Sequence, residues 1–375
     1  MKFSFANFLK IDWILFFAVA FLTASGLLAI YSLSISSSEE GANNFQKQLI
    51  YLSVGLVFFL FFYLVDHRVW KNYSKFFYIS GLALLALVLV FGITVRGTSG
   101  WFDLGVANFQ PVELVKIFLI IYLADYLSRK RNKKLGFKEL GFSFFIMLLP
   151  VVLVLRQPDF GSASILVVIW LFMVFFAGAN KKLVISLIAV GLIGFIAGWN
   201  IFLQDYQKDR IHAFLNPQND PLGSGYNVIQ SMVAIGSGGL TGKGIGYGSQ
   251  SQLNFLPEKH TDFVFAAIAE ESGFLGTSLV LFFFWVLLFK MNKIALNSKD
   301  YFGKLLVMGI FGMLFFQIVI NVGMNLGIIP VAGISLPFLS YGGSFLIVTF
   351  IALGLVMSVY KRGKKGNFAP DEIME

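Results

Sequence analysis

The chain has 375 residues, of which 57% are hydrophobic and only 13% are charged. Because ordinary soluble proteins contain about 25% charged residues, this composition excludes an assembly of soluble globular domains. The chain contains no cysteine, which excludes disulfide frameworks and thiolate metal sites. A net charge of +9 would suit nucleic acid, but the basic residues are spread over separate loops, so we expect no nucleic-acid partner.

The apolar residues fall into ten segments, and a membrane span needs about 20 such residues. The first segment is too long for the apolar part of a cleavable signal peptide, so we interpret it as a transmembrane helix. The fifth is short, contains Pro150 and is joined to the sixth by RQPDFGS, which indicates a tight hairpin or a broken helix. The sequence therefore predicts an all-α polytopic membrane protein with ten transmembrane helices. The segments are 12–34, 47–65, 76–95, 110–128, 140–155, 160–178, 183–200, 262–289, 303–327 and 341–360.

The loops between these segments are alternately rich and poor in positive charge. The richer set includes residues 129–138 and both ends of the chain, and it holds most of the 29 lysines and arginines. Positively charged loops stay on the cytoplasmic side of a membrane. We therefore expect both termini in the cytoplasm and a single integral-membrane domain over residues 1–375, with a short cytoplasmic tail at 361–375.

One predicted outer loop, residues 201–261, is far longer than the others. Structureless loops of that length are uncommon in compact domains and are usually functional. Within the loop, GYNVIQSMVAIGSGGL has an amphipathic helical pattern that would suit the membrane interface. The following GKGIGYGSQ has glycine at 242, 244, 246 and 248. These glycines either let the backbone approach a ligand closely or form flexible turns.

Charged residues gather where the long loop meets the eighth segment, in LNFLPEKHTDFVFAAIAEES. Charges at a membrane boundary are costly and are often functional. Asp262 has two interpretations: it is a general base, which requires a carboxylate with an adjustable pKa, or it stabilises a helix N-terminus. His260 either orients a ligand or is an ordinary surface residue.

Glu113 and Lys116 lie three residues apart in the fourth segment and therefore on one face of a helix. Opposite charges in the apolar phase either pair with each other and fix helix packing, or face a polar cavity. In a cavity, Lys116 could bind a phosphate as a point charge. The sequence leaves both interpretations open.

Further charges lie on the predicted outer face. Arg156 and Asp159 flank the turn after the fifth segment, where they either form a turn pair or face the same site as Asp262. Arg210 and Lys243 lie in the long loop. Carboxylates and cations on one face suit an anionic, lipid-anchored substrate with a reacting hydroxyl. An ion transporter would need titratable groups nearer the membrane midplane, so the pattern favours chemistry at the outer surface.

Five stretches form a specific set: IDWILFF…GLLAIYS, GWFDLG…FQPVELVK, QPDFGSA, a long block from NPQNDPLGSGYNVIQ to HTDFVFAAIAEESGFLG, and LPFLSYGGS. With them the chain resembles the SEDS family (shape, elongation, division and sporulation) over nearly its whole length. The form GSQSQLNFLPEKHTDF is closer to the RodA branch of the family than to the division-specific FtsW branch.

The resemblance implies a peptidoglycan glycosyltransferase in the bacterial plasma membrane, with its active site on the extracytoplasmic face. Such an enzyme polymerises lipid II into glycan strands during cell elongation and rod-shape maintenance. The implied partners are a class B penicillin-binding protein and other membrane proteins of the elongation complex. No cofactor is implied with certainty: a divalent cation, Mg²⁺ or Mn²⁺, could assist, but the sequence shows no metal-ligand spacing.

The resemblance also assigns roles to residues. Asp262 matches the acid that the family needs for activity, and we expect it to take the proton from the 4-hydroxyl of the acceptor sugar. Lys116 and Arg210 are the best candidates to stabilise the undecaprenyl diphosphate leaving group. The complete set of predicted substrate-binding residues is Glu113, Lys116, Asp159, Arg210, Trp101, His260 and Lys243.

The chain departs from the family at one motif. Gly100 precedes Trp101, where the family usually has arginine, so either Arg96 substitutes or a phosphate contact is missing. Two alternative functions therefore stay open: a flippase that moves lipid II across the membrane, and a non-catalytic scaffold for the cell-wall synthesis machinery.

Overall fold

The fold is known from a computed structural model, which describes residues 11–35, 39–95, 97–105, 108–130, 135–183, 185–187, 189, 191, 205–219 and 223–363. Most of these residues are helical. The helices are α1 (Trp13–Ile35), α2 (Glu39–Leu64), α3 (His67–Asn72), α4 (Ser74–Phe91), α5 (Pro111–Ser128), α6 (Phe137–Leu155), α7 (Phe160–Phe176), α8 (Asp205–Leu215), α9 (Ser224–Ser237), α10 (Ser249–Gln252), α11 (Val264–Leu296), α12 (Tyr301–Asn325) and α13 (Gly343–Gly363).

Seven helices in the described part of the chain are long and apolar enough to cross a membrane, namely α1, α2, α4, α6, α11, α12 and α13. Helix α7 is apolar but has only 17 residues, and α5 carries Glu113 and Lys116 in its apolar sequence. The seventh predicted segment, 183–200, lies largely outside the described residues. The prediction of a helical multi-pass membrane protein is confirmed, whereas the count of ten spans stays a prediction.

The all-α prediction is wrong at one place. Three short antiparallel strands, β1 (Ile93–Val95), β2 (Thr98–Asp103) and β3 (Asn108–Phe109), lie between α4 and α5 in the order β1-β2-β3. Val95 pairs with Thr98, and Gly97, which lies between the two strands, has φ +80°. Because β-branched and aromatic residues dominate these strands, local preference favours a hairpin over a loop.

Helix α13 lies at the centre of the membrane domain. In an apolar stretch of 18 residues within α13, 83% of the residues are buried, whereas the buried share of the corresponding stretch in α2 is 22%. Small residues allow this packing, because lipid offers no hydrophobic force to hold helices together and close backbone approach is needed instead. A Cβ on Gly354 would lie 2.7 Å from the carbonyl oxygen of Phe59 in α2.

Helix α11 is interrupted at Gly273, where φ is +65° and ψ is −165°. The break leaves backbone groups without partners in the helix, and the glycine-rich stretch 239–244 supplies them. Phe274 N donates to Gly239 O at 2.9 Å, and Gly244 N donates to Glu271 O at 3.0 Å. The glycines thus let the backbone approach the chain's own helix closely, and their approach to a ligand stays a prediction.

Candidate active site

A polar cavity of about 240 Å³ lies among β2, the first turns of α5 and α7, α8 and the turn that precedes α11. It brings together six of the eight predicted site residues from five separate predicted segments and loops. These six residues are Trp101, Glu113, Lys116, Asp159, Arg210 and Asp262.

Asp262 lies in the turn before α11 and precedes the N-cap residue of that helix, Phe263. Its carboxylate borders the cavity rather than belonging to the first helical turn, which contains no acidic residue. Gly333, with φ +65°, forms the facing wall, and a Cβ there would lie 3.8 Å from Oδ2 of Asp262. The space beside the carboxylate is therefore kept open by a glycine.

Two asparagines of α12 hold the backbone at Asp262. The side-chain amides of Asn321 and Asn325 each donate to Asp262 O at 3.0 Å. Asn321 also donates to Ile334 O at 2.7 Å, and Asn325 Oδ1 accepts from Ala266 N at 3.1 Å. Both side chains are fully buried. This pair, which we call the asparagine clamp, fixes the turn that carries Asp262 relative to the opposite wall of the cavity.

The sequence reasoning missed the asparagine clamp, although a signal was present. NVGMN places two amides four residues apart, on one face of an apolar span. Polar side chains in such a position are rarely left without a partner.

Glu113 and Lys116 form an ion pair of 2.7 Å between Oε1 and Nζ, with side chains 9% and 3% exposed. Both residues also line the cavity. Both interpretations offered by the sequence therefore apply: the charges of Glu113 and Lys116 neutralise each other, and both residues line the polar cavity.

Asp159 is the N-cap residue of α7. Its Oδ1 accepts from Ser162 N at 2.9 Å, and its Oδ2 accepts from Gln110 Nε2 at 3.3 Å. Within the described residues no ion pair joins Asp159 to Arg156, and Arg156 is exposed at the end of α6, outside the cavity. Asp159 thus serves the fold as a cap while one side of its carboxylate borders the site.

Arg210 reaches the cavity from α8, where its Nη1 donates to Val331 O at 3.4 Å. Glu258, which is not among the predicted site residues, also lines the cavity, and Thr261 Oγ1 donates to its Oε2 at 3.1 Å. Four carboxylates and two cations line the cavity. The carboxylates are those of Glu113, Asp159, Glu258 and Asp262, and the cations are Lys116 and Arg210. The cavity carries a net charge of −2 when all six groups are ionised.

Trp101 lines the cavity from β2, and its Nε1 donates to Thr98 Oγ1 at 3.2 Å. The preceding Gly100 is buried against Gln157, whose Oε1 would lie 2.9 Å from a Cβ at that position. Gln157 is itself buried and donates to Leu85 O at 3.3 Å. The side chain of Gln157 therefore fills the space next to Gly100. Arg96, the suggested substitute, lies outside the described residues.

Lys243 and His260 do not line the cavity. Lys243 Nζ instead donates to Glu270 Oε1 and to Ser249 Oγ, both at 2.8 Å. His260 O accepts from Tyr341 N at 2.8 Å. Lys259 is buried and donates to Ser251 O at 2.6 Å, and its burial lowers the pKa of the ammonium group. The structure gives the lysines roles in holding the loop.

The carboxylates of the cavity do not converge on one point. Among the described residues, no group of three or more Asp, Glu, His or Cys is arranged to hold a metal ion. The described residues therefore present no prepared set of metal ligands.

An apolar cavity of about 920 Å³ adjoins the polar one. It lies between α6 and α7, and Leu183, Ser186, Leu187 and Gly191 also line it. Phe160 lines both spaces. The polar site is thus continuous with a surface that suits a hydrocarbon chain.

The chain matches a family model described as the FtsW, RodA and SpoVE cell cycle proteins, over residues 12–365. It is 37% identical to peptidoglycan glycosyltransferase MrdB of Escherichia coli K12 over 340 residues, which cover 90% of this chain and 91% of MrdB. It is 36% identical to stage V sporulation protein E of Bacillus subtilis 168 over 356 residues, which cover 93% of this chain and 96% of the relative.

Solved structures of similar proteins resemble this chain in fold as well. One chain of a peptidoglycan synthase complex, described as coordinating polymerization and crosslinking, superposes with a TM-score of 0.80 at 33% identity. That match covers 95% of this chain and 99% of the other. The rod shape determining protein RodA of Thermus thermophilus superposes with a TM-score of 0.71 at 31% identity, covering 96% and 99%. The similarity in sequence and in fold extends over nearly the whole chain.

Proposed function

The chain belongs to the FtsW, RodA and SpoVE family, and on this premise we propose how its polar cavity transfers a glycosyl group. Curated relatives at 36–37% identity are named peptidoglycan glycosyltransferases, and this chain is a glycosyltransferase of the same family in cell wall synthesis. The substrate that we propose is lipid II, polymerised into glycan strands during cell elongation and rod-shape maintenance.

The reaction that we propose proceeds with inversion. The 4-hydroxyl oxygen of the acceptor sugar attacks the anomeric carbon of the donor, while the bond from that carbon to the diphosphate breaks. Asp262 takes the hydroxyl proton as general base. The asparagine clamp supports this role, because it fixes the main chain that carries the carboxylate without using the carboxylate oxygens.

The leaving group is undecaprenyl diphosphate, whose negative charge increases as the bond breaks. Lys116 and Arg210 are the cations that line the cavity, and they stabilise that charge. Lys116 is already partly neutralised by Glu113 at 2.7 Å. The cavity therefore balances a diphosphate only in part.

A divalent cation, Mg²⁺ or Mn²⁺, could supply the missing charge by entering with the diphosphate rather than by occupying a prepared protein site. The net charge of −2 in the cavity supports this proposal. Because no three ligand side chains of the described residues converge, no step of the reaction is assigned to the metal.

The polyprenyl chain of the substrate needs an apolar path from the membrane to the polar cavity. The apolar cavity between α6 and α7 supplies one, since it meets the polar cavity at Phe160. The diphosphate then lies near Asp159 and Lys116, at the boundary between the two spaces.

For the whole protein we propose a single integral-membrane domain over residues 1–375, with ten spans and both termini in the cytoplasm of a bacterial cell. Asp262 would then face the extracytoplasmic side of the plasma membrane. The distribution of lysine and arginine supports this orientation. We also propose a class B penicillin-binding protein and further elongation-complex membrane proteins as partners, since the solved relative is part of a complex that coordinates polymerization and crosslinking.

The observation that carries the proposal is the place of Asp262: a carboxylate on a rigidly held turn, in one cavity with Lys116 and Arg210. We expect Asp262→Asn to lower the rate of lipid II polymerisation by about 10²- to 10⁴-fold, because the general base is lost. The rate should be measured with the purified full chain, with and without its penicillin-binding partner.

Asp209→Asn is the matched control, because Asp209 is exposed on α8 and lies outside the cavity. We expect it to polymerise within twofold of the wild-type rate. A wild-type rate for Asp262→Asn would overturn the assignment. If the protein instead moved lipid II across the membrane of liposomes and formed no polymer, the flippase alternative would be favoured.

A further inference from the structure

A second polar cavity lies at the other end of α11 from Asp262. Its volume is about 540 Å³. It is bounded by the residue that precedes α1, the last turns of α11, the start of the α11–α12 connection and the end of α13. We call it the lysine cavity, and its polar lining residues are Asp12, Lys290, Lys293, Asn297, Lys299 and Tyr360.

The charges of the lysine cavity are not balanced. Lys290 Nζ lies 3.1 Å from Asp12 Oδ2, and the other oxygen of Asp12 accepts from Leu15 N. For Lys293 and Lys299, the described part of the chain supplies no acidic group within ion-pair distance. Three ammonium groups thus surround one space with a single carboxylate, and an anion in that space would lower their mutual repulsion.

The lysine cavity lies where the spans end. Lys290 and Lys293 belong to the last turns of α11, and Gly363 at the end of α13 borders the same space. Basic pockets between transmembrane helices at a membrane surface are suited to anionic lipid headgroups.

An apolar groove begins next to the lysine cavity. It has a volume of about 310 Å³, lies between α1, α2 and α13, and is lined by apolar side chains apart from Thr23. Its lining residue Ile11 is the neighbour of Asp12 in the lysine cavity, and Met357 in the groove lies three residues before Tyr360 of the lysine cavity, on one face of α13. A phosphate group and a hydrocarbon chain joined in one molecule would therefore find adjacent places.

We propose that the lysine cavity binds the phosphate group of an anionic phospholipid, with an acyl chain of that lipid in the groove that begins at Ile11. Lys293 and Lys299 contact the phosphate, and Asn297 donates to a headgroup oxygen. Lys290 stays paired with Asp12. A zwitterionic headgroup would place a cation beside these lysines and binds more weakly. This site is independent of the catalytic proposal, since none of its residues lines the cavity of Asp262.

The test uses the purified full chain in neutral detergent, titrated with phosphatidylglycerol, phosphatidylcholine or inorganic phosphate. Bound lipid is counted by native mass spectrometry, and the unfolding temperature is recorded in parallel. We expect phosphatidylglycerol to bind at least tenfold more tightly than phosphatidylcholine, and to raise the unfolding temperature. Inorganic phosphate at the same concentration should not reproduce that rise.

The variant Lys293→Gln/Lys299→Gln should bind phosphatidylglycerol about tenfold more weakly. The matched control is Lys181→Gln/Lys182→Gln, which removes the same charge from two exposed lysines beyond the end of α7. We expect the control to stay within twofold of wild type. Equal losses in the two variants would mean a general surface effect and would overturn the site.

A second variant tests the site by a gain of affinity, which misfolding cannot produce. Asp12→Asn keeps the acceptor for Leu15 N but removes the negative charge beside Lys290. It should bind phosphatidylglycerol several-fold more tightly than wild type. Unchanged or weaker binding would contradict the proposal, as would equal binding of the two lipids or a full thermal shift with phosphate alone.

Discussion

Two groups of acidic side chains lie close together in the chain, one in the turn before α11 and one within α11. Asp262 borders a cavity, and the clamp that holds it contacts only its backbone. Glu270 and Glu271 are buried, and protein donors surround both carboxylates. Of these three acids, Asp262 borders the polar cavity, whereas Glu270 and Glu271 do not.

The difference is in what the carboxylate oxygens do. Glu270 accepts from Lys243 Nζ at 2.8 Å, from Gln250 N at 2.8 Å and from Ser251 N at 3.0 Å. Those bonds fold the glycine-rich loop onto the broken helix. A buried charge with partners on every side is structural, whereas a carboxylate at the edge of an open space can exchange a proton. Activity and stability should therefore respond to different acids.

The largest expected difference between the two groups of acids appears when both stability and polymerisation are measured for a variant of each group. Glu270→Ala should lower the free energy of unfolding by about 3–5 kcal/mol, because the donors of the loop lose a buried partner. Asp262→Asn should leave that free energy within about 0.5 kcal/mol of wild type and should lower the polymerisation rate by about 10²- to 10⁴-fold. Denaturant unfolding in mixed micelles measures the first quantity. If Glu270→Ala were as stable as wild type, the two groups would not differ in the way described.

The next largest effect is expected at the asparagine clamp, which holds the backbone of Asp262. Asn325→Ala removes one of the two donors to Asp262 O and should cost about 1–3 kcal/mol in stability. It should also lower kcat about tenfold with little change in KM, because the base is misplaced while the substrate contacts remain. Steady-state polymerisation kinetics separate the two constants.

Ser231→Ala is the control for this effect. Ser231 is buried beside the clamp and donates to Asn325 O at 2.8 Å, but it does not touch Asp262. We expect it to lose stability without a selective loss of kcat. A parallel fall in kcat for both variants would show that the clamp acts through stability alone.

Asp300 is an acid at the far end of the membrane domain, and we expect the smallest of the three effects there. Burial disfavours the charge of Asp300, but the hydrogen bond from His67 at 2.8 Å and other donors outweigh it and lower the pKa of Asp300 to about 2. Because the folded pKa is depressed, this stabilisation is present above the unfolded value of 3.8 and is lost as the pH falls towards 2.

Asp300→Asn should therefore remove about 2 kcal/mol at pH 6, and the gap to wild type should close between pH 4 and pH 2. The asparagine can still accept from Gly303 N at the helix N-cap, so the charge is the main change. Unfolding free energies measured over that pH range test the sign. A gap that widened as the pH fell would contradict it.

Much of the fold and the membership of the site could be predicted from the sequence. Long apolar segments give the helices, and the charges on one face give the cavity that holds Glu113, Lys116 and Asp262. These features depend on local composition and on the alternation of loops across a membrane. They require no knowledge of which helices touch.

Other features could not be predicted, because they depend on contacts between distant parts of the chain. Lys243 looks like any cation of an outer loop until the break at Gly273 brings Glu270 within 2.8 Å of it. Glu258 lines the cavity from a backbone with φ +50°, in the left-handed region, which its sequence does not indicate. The strands between α4 and α5 were missed for a simpler reason, since a short hairpin was hidden among apolar spans.

The break at Gly273 has a consequence for how the loop 239–244 tolerates change during evolution. Surface loops ordinarily accept insertions and deletions. Here Gly239 and Gly244 both bond to the broken helix, and a backbone group left without a partner in the membrane costs several kcal/mol. One added residue between them would move every later donor away from its acceptor. Sequences descended from a common ancestor should therefore keep the length of this loop as strictly as they keep the length of a helix.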